Sequence, residues 1–212
     1  MKTLNLNIKN MVCLRCILVV RNELESLGAF VSTIRIGYAT IEVPESVTKR
    51  IIAYSLSTYG LELLEDKEEV LIEQIKLAVQ QYIKNLENFS IEVTLSDFLA
   101  HNLGKNYNFL SKHFSKSEGS TIEPYYINKR IDRVKELIKY DELNLSEIAA
   151  KLGYSSVHYT SSQFKHVTGL SVTDYKAEVL MENHADKAIS VSPLRLREKG
   201  YTNKFNMKRR AV

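Results

Sequence analysis

Both cysteines of the chain lie in one stretch, Asn10-Met11-Val12-Cys13-Leu14-Arg15-Cys16, with two residues between them. Such a pair can hold a soft cation as two thiolates, cycle between dithiol and disulfide, or pack as two small apolar side chains. Two cysteines are too few for a disulfide framework, and a lone Cys-x-x-Cys points first to metal or redox chemistry. Arg15 between them favours the thiolate form. No histidine is near, the first being His101, so zinc would need a further ligand or a partner's thiols.

A second set of residues suits a different chemistry. Residues 95–119, LSDFLAHNLGKNYNFLSKHFSKSEG, recur as residues 145–169, LSEIAAKLGYSSVHYTSSQFKHVTG. Leu95 matches Leu145, Ser96 matches Ser146, Phe114 matches Phe164, Gly119 matches Gly169 and Tyr125 matches Tyr175, all at one offset. Leu103-Gly104 and Leu152-Gly153 correspond one residue off, so the first copy has the longer first helix and the shorter turn. Each copy reads as a two-turn helix started by Ser96 or Ser146, a glycine stop, a polar turn and a second helix, the plan of a helix-turn-helix. On the second helix Tyr107, Leu110 and Phe114 share an inward face in copy one, as do Val157, Thr160 and Phe164 in copy two. The outward sets are Asn108, Ser111, Lys112 and Ser115, then His158, Tyr159, Ser161, Ser162 and Lys165. Both outward sets lack acids and carry hydrogen-bonding groups suited to base edges and phosphates.

The positioning elements follow from periodicity. Leu4, Leu6 and Ile8 alternate as in a strand, and Ile17, Val20, Leu24 and Leu27 follow a helical spacing that stops at Gly28. Residues 30–36 and 38–43 read as a hairpin through Gly37. Pro44-Glu45-Ser46 opens a second helix with Ile51, Ile52, Leu56 and Tyr59 on one side, and residues 61–64 close with a strand. The order βαββαβ is a ferredoxin-like plan. Lys67 to Asn88 reads as one helix whose stripe Leu71, Ile75, Ala78 and Tyr82 either packs on its own chain or forms a short dimer seam. Between the two copies, Pro124 to Tyr140 reads as a helix with Ile127, Ile131, Val134 and Ile138 on one side. Such a rod would set the two second helices at successive major grooves, about 34 Å apart.

Two resemblances sharpen this. The βαββαβ order with Met11, Cys13 and Cys16 between the first strand and first helix resembles the heavy-metal-associated domain of copper chaperones and metal-transporting ATPases. That resemblance implies a soft-metal site at Cys13 and Cys16, with Cu(I) and Zn(II) as the two candidates. Asn10 stands where that family has glycine, and Leu14 and Arg15 where it has small residues. Residues 95–176, through IDRVKELIKYDELNLSEIAAKLGYSS and QFKHVTGLSVTDYK, resemble the DNA-binding domain of the AraC/XylS transcription regulators. It implies that Asn108, Ser111, Lys112, His158, Tyr159, Ser161 and Ser162 meet DNA. Thr160 stands where that family has a large apolar residue, which predicts an underpacked second unit at a cost of about 1–3 kcal/mol; Val172 replaces a usual proline.

The expected architecture is therefore α+β: a ferredoxin-like domain at 1–66, a connecting helix at 67–90, an all-α double helix-turn-helix domain at 91–178, and a basic, loosely ordered tail at 179–212. The tail from residue 181 holds 8 basic and 3 acidic side chains, whereas 67–180 is balanced at 14 and 15. No apolar run approaches the roughly 20 residues a membrane span needs, and the amino-terminal residues lack a signal-peptide apolar block, so a cytoplasmic protein without membrane association is expected. No Ser-His-Asp or Cys-His set, phosphate-cradling glycine loop or HExxH is present, so no enzyme is expected. The expected function is a sequence-specific transcription regulator gated by soft metal or thiol oxidation. Its expected partner is double-stranded DNA, with RNA polymerase and a second copy of the chain as further candidates. The alternative is a Cu(I)/Zn metallochaperone or metal buffer with a helical interaction domain.

Overall fold

The structure is a computed structural model that describes residues 1–88, 93–140 and 143–190, with side chains described as far as Met181. Its amino-terminal part runs β1 (Lys2–Lys9), α1 (Leu14–Ser26), β2 (Phe30–Arg35), β3 (Tyr38–Val43), α2 (Lys49–Ser57) and β4 (Glu62–Leu64). The four strands form one antiparallel sheet in the order β2-β3-β1-β4. Strand β1 lies inside the sheet because its alternation buries Leu6 and Ile8 completely while Asn5 stays exposed. These residues join Met11, Val20, Leu24, Ile41, Ile52 and Leu56 in one core beneath α1 and α2.

Helix α2 starts later than Pro44-Glu45-Ser46 suggests. Pro44 to Val47 make a turn, with the Val47 N–H on the Pro44 carbonyl at 3.0 Å, and Thr48 caps the helix by accepting the Ile51 N–H. Its phase therefore buries Ile52 and Leu56 and leaves Ile51 and Tyr59 exposed. The hairpin turn is the pair Ile36-Gly37, and Gly37 has φ +77°. A Cβ there would sit 2.4 Å from Leu77 Cδ1, so the missing side chain also lets the following helix approach the turn.

That helix, α3 (Lys67–Asn88), leads to α4 (Leu95–Leu103), α5 (Tyr107–Glu118), α6 (Ile122–Tyr140), α7 (Leu145–Lys151) and α8 (Val157–Thr168). The apolar stripe of α3 packs on its own chain: Ile75 and Tyr82 are buried, together with Ile72, Val79 and Ile83. Tyr82 is central, its ring 5.2 Å from Phe98 and 5.9 Å from Tyr126 and its hydroxyl donating to the Val93 carbonyl at 3.0 Å. Arg133 of α6 clamps the end of α3 through two bonds to the Glu87 carboxylate, at 2.6 and 2.8 Å. A final helix, α9 (Val172–Ser190), belongs to a separate compact unit that begins at Val172. The expected loose tail thus begins as helix, and its remainder, residues 191–212, lies outside the described residues.

The helix starts differ from the serine reading. Thr94 and Asn144, two residues before Ser96 and Ser146, are the caps. Asn144 accepts the N–H of Ser146 and Glu147 while the Glu147 carboxylate accepts the Asn144 N–H at 2.7 Å, a complete capping box. Counting from the first apolar residue of each helix placed the cap inside the first turn. Because α7 has only seven residues, its start matters: Asn144→Ala is expected to lower stability by about 1 kcal/mol in urea unfolding.

Candidate nucleic-acid interface and thiol pair

The two helix pairs repeat in their caps as well as their sequence. Asn106 and Ser156, 50 positions apart, cap α5 and α8 by accepting the Phe109 and Tyr159 N–H groups. Gly119 and Gly169 end those helices in the left-handed region, at φ +69° and +78°. The turn before α5 has three residues, Gly104 to Asn106, against five before α8. Phe114 and Phe164 are wholly buried at equivalent places. Thr160 is also fully buried, and its hydroxyl donates to the Ser156 carbonyl at 3.0 Å, so the polar group placed in that core is satisfied.

With that phase, α5 exposes Asn108 and Lys112 and half-buries Ser111. Helix α8 exposes His158, Tyr159, Ser162 and Lys165 and half-buries Ser161. Each expected set thus lies on a single helix. The outer side of α5 also carries Phe109, which the helical wheel left unassigned. It is exposed, meets the His113 ring at a tilt of 44° with 4.3 Å between centroids, and has the Lys105 ammonium 5.7 Å from its ring centroid. An exposed aromatic beside a cation, next to Asn108, was the signal available in the sequence. Helix α5 is held to α3 by ion pairs of Lys116 with Glu68 at 3.1 Å and of Lys76 with Glu118 at 2.8 Å. The Lys116 ammonium, by hydrogen bond and then by charge, holds the Glu68 carboxyl below the usual carboxylate range.

Helix α8 is held from α6 by Arg130. This guanidinium is buried, donates from Nε to the Leu152 carbonyl at 2.9 Å, and lies 3.5 Å from the centroid of the Tyr154 ring. Leu152 ends α7, so one side chain of the rod fixes the turn that aims α8.

The thiols sit at the start of α1, with Cys13 at the cap position and the two Sγ atoms 3.2 Å apart. Cys13 is exposed and Cys16 half-buried. Asn10, in the place of the resembled family's glycine, takes φ +66°, a conformation asparagine tolerates better than most residues. Met11 is wholly buried, so its thioether belongs to the core. Among the described residues no group of three or more His, Cys, Asp or Glu side chains is placed to hold a metal. Two thiols suit a soft ion content with two ligands and leave zinc short of its usual four.

The backbone N–H and thiol of Cys16, then the N–H and charge of Arg15, hold the Cys13 thiol below its ordinary value. A lowered value enlarges the thiolate fraction at neutral pH. In a Cys16→Ser variant, which keeps the backbone N–H, iodoacetamide should therefore alkylate Cys13 with a midpoint below about 8.5, the free thiol's value. A midpoint at or above that of a model thiol would contradict this placement.

Residues 99–178 match the family model described as a helix-turn-helix domain, 80 of the chain's 212 residues. No curated protein matches the chain. Among solved structures, it is similar to the carboxy-terminal domain of AraT, a response regulator from Geobacillus stearothermophilus. The identity is 22%, over 53% of this chain and 88% of that one, with a TM-score of 0.46. A DNA-binding transcriptional dual regulator from Escherichia coli K-12 is 23% identical over 50% of this chain and 93% of its own, with a TM-score of 0.43. The carboxy-terminal domain of the two-component response regulator yesN from Fusobacterium nucleatum is 30% identical over 46% and 93%, with a TM-score of 0.40. No helix among the described residues is long and apolar enough to cross a membrane.

Proposed function

We propose that this chain is a sequence-specific DNA-binding transcription regulator of the AraC type, not an enzyme, with α5 and α8 reading successive major grooves of one duplex. The observation that carries the reading is the repeated cap, buried phenylalanine and left-handed glycine at one 50-residue offset, within the segment that matches the helix-turn-helix model. Asn108, Ser111, Lys112, His158, Tyr159, Ser161, Ser162 and Lys165 are the proposed DNA-facing residues, and RNA polymerase and a second copy are the candidate protein partners. The sheet with α1 and α2 is read as a ferredoxin-like domain of heavy-metal-associated type, supported by its βαββαβ order and sheet order. Cys13 and Cys16 would then form its soft-metal or redox sensor. The metallochaperone reading has the exposed thiol pair in its favour but leaves the duplicated helix pairs without a role.

The test is selection of binding sequences from random duplexes, followed by footprinting on the winners. Affinity should fall steeply with salt as phosphate contacts release counterions. Lys112→Ala and Lys165→Ala should each reduce the salt slope by about 1 and weaken all sequences alike, whereas Ser111 or His158 substitutions should change the preferred sequence. The Cys13→Ser, Cys16→Ser double variant should bind DNA normally yet lose any response to Cu(I) or oxidant. Absence of any protected segment at low ionic strength would refute the DNA reading; a response that survives in the double variant would refute the sensor.

A further inference from the structure

A cleft of about 560 Å³ lies where the β2–β3 turn faces α3 and the end of α4. That volume is within the range of small-molecule sites. Its cationic groups are Arg35 on the strand side and Lys84 on α3, and among the described residues no Asp or Glu lines it. Neither cation forms an ion pair with any described carboxylate. Arg35 is also preorganised. Its guanidinium lies 4.9 Å from the centre of the Tyr38 ring, and Tyr38 is pinned because its hydroxyl donates to Asn5 Oδ1 at 2.9 Å and accepts from Thr40 Oγ1 at 3.0 Å. The amides of Asn7, Gln74 and Asn102 line the same cleft, groups that can donate to or accept from a neutral polar body.

A neighbouring cleft of about 750 Å³ between α3 and α6 makes the contrast. Lys84 lines this cleft as well, and its other two cations are paired, Arg133 with Glu87 and Glu136, and Lys129 with Asp132. Its lining sets the carboxylates of Glu87, Asp132 and Glu136 against those cations. Among the described residues no carboxylate lines the first cleft, so the partner its cations call for is a negative charge brought from outside.

We propose that the first cleft is a binding site for a small organic anion, a carboxylate or phosphate ester with a hydroxyl- or amide-bearing body. Arg35 and Lys84 take the charge and the amides take the body. The occupant would touch the hairpin turn, the long helix and the first helix of the first helix-turn-helix at once, and so brace the sheet against the helices. Val12, adjacent to Cys13, also lines this cleft, as it does the neighbouring one.

The test is calorimetric titration and thermal unfolding of the full chain without DNA, so its outcome is separate from that of the DNA reading. The probes are gluconate, glucose 6-phosphate and glucose, then glutarate and its neutral diamide. At least one anion should bind and raise the unfolding midpoint, with its neutral counterpart inert; the member that binds tells carboxylate from phosphate. Arg35 and Lys84 are both exposed, so the Arg35→Ser, Lys84→Ser double variant should fold normally, as circular dichroism would check. It should bind the anion about tenfold to a hundredfold more weakly, and Arg35→Lys with Lys84→Arg should restore much of the loss. The proposal is overturned if no anion of the set binds, if neutral probes bind equally well, or if the serine variant binds like the parent.

Discussion

Phe164→Ala should lower stability by about 3–5 kcal/mol, a large share of the 5–15 kcal/mol of an ordinary domain. Phe164 is wholly inaccessible at the centre of the second helix-turn-helix, and α8 buries only it and Thr160. Removing the ring leaves a cavity that short helices joined by a five-residue turn cannot close without shifting α8. The chain has no tryptophan, so unfolding is best followed by circular dichroism at helical wavelengths, with strand amides by NMR as the internal control. Sheet amides should keep their shifts in Phe164→Ala while those of α7 and α8 broaden or move. A loss below about 0.5 kcal/mol, the size of an ordinary surface change, would show that α8 is not anchored by this ring. Phe114→Ala should behave alike in the first unit, where the ring also packs on Tyr125 at 5.4 Å.

Arg130→Met should cost about 2–4 kcal/mol, from a charged hydrogen bond and a desolvated cation–π contact. Methionine keeps most of the volume but cannot donate to the Leu152 carbonyl, and Leu152 is fully buried. The loss should therefore concentrate in the α7–α8 turn. The check is amide hydrogen exchange: protection should fall in residues 152–157 while the first unit, anchored by Tyr82 and Phe114, is unchanged. Uniform loss of protection would mean that Arg130 supports the whole helical part. An unchanged unfolding curve would mean the guanidinium contributes nothing net, as some buried charges do.

Arg130 also shows where sequence reading runs out. The stripe expected on α6 was Ile127, Ile131, Val134 and Ile138; the last three are buried, but Ile127 is only half-buried, and Tyr126 and Arg130 complete the inner face. A charged residue between apolar ones reads as outward-facing, because its acceptor lies 22 positions ahead in a turn whose geometry no local pattern encodes. The same holds for the cleft. Arg35 and Lys84 are ordinary surface cations in sequence, and only the approach of α3 to Gly37 brings them to one cavity. The caps differ for a nearer reason: Thr94 and Asn144 are the side chains that reach the N–H groups of the first turn.

What the amino-acid order determined by itself was local and periodic. The duplication, the alternation of β1, the span of α3 and the buried phenylalanines follow from side-chain repeat lengths and from residues such as glycine, whose conformational preferences act over a few positions. The tertiary structure alone decided which charges meet. It paired Arg133 with Glu87, placed Arg130 under Tyr154, turned Met11 into the core, and gave Arg35 and Lys84 no ion pair with any described carboxylate. The physical reason is that Coulomb and hydrogen-bond energies depend on distances through space, whereas periodicity reports only distances along the chain.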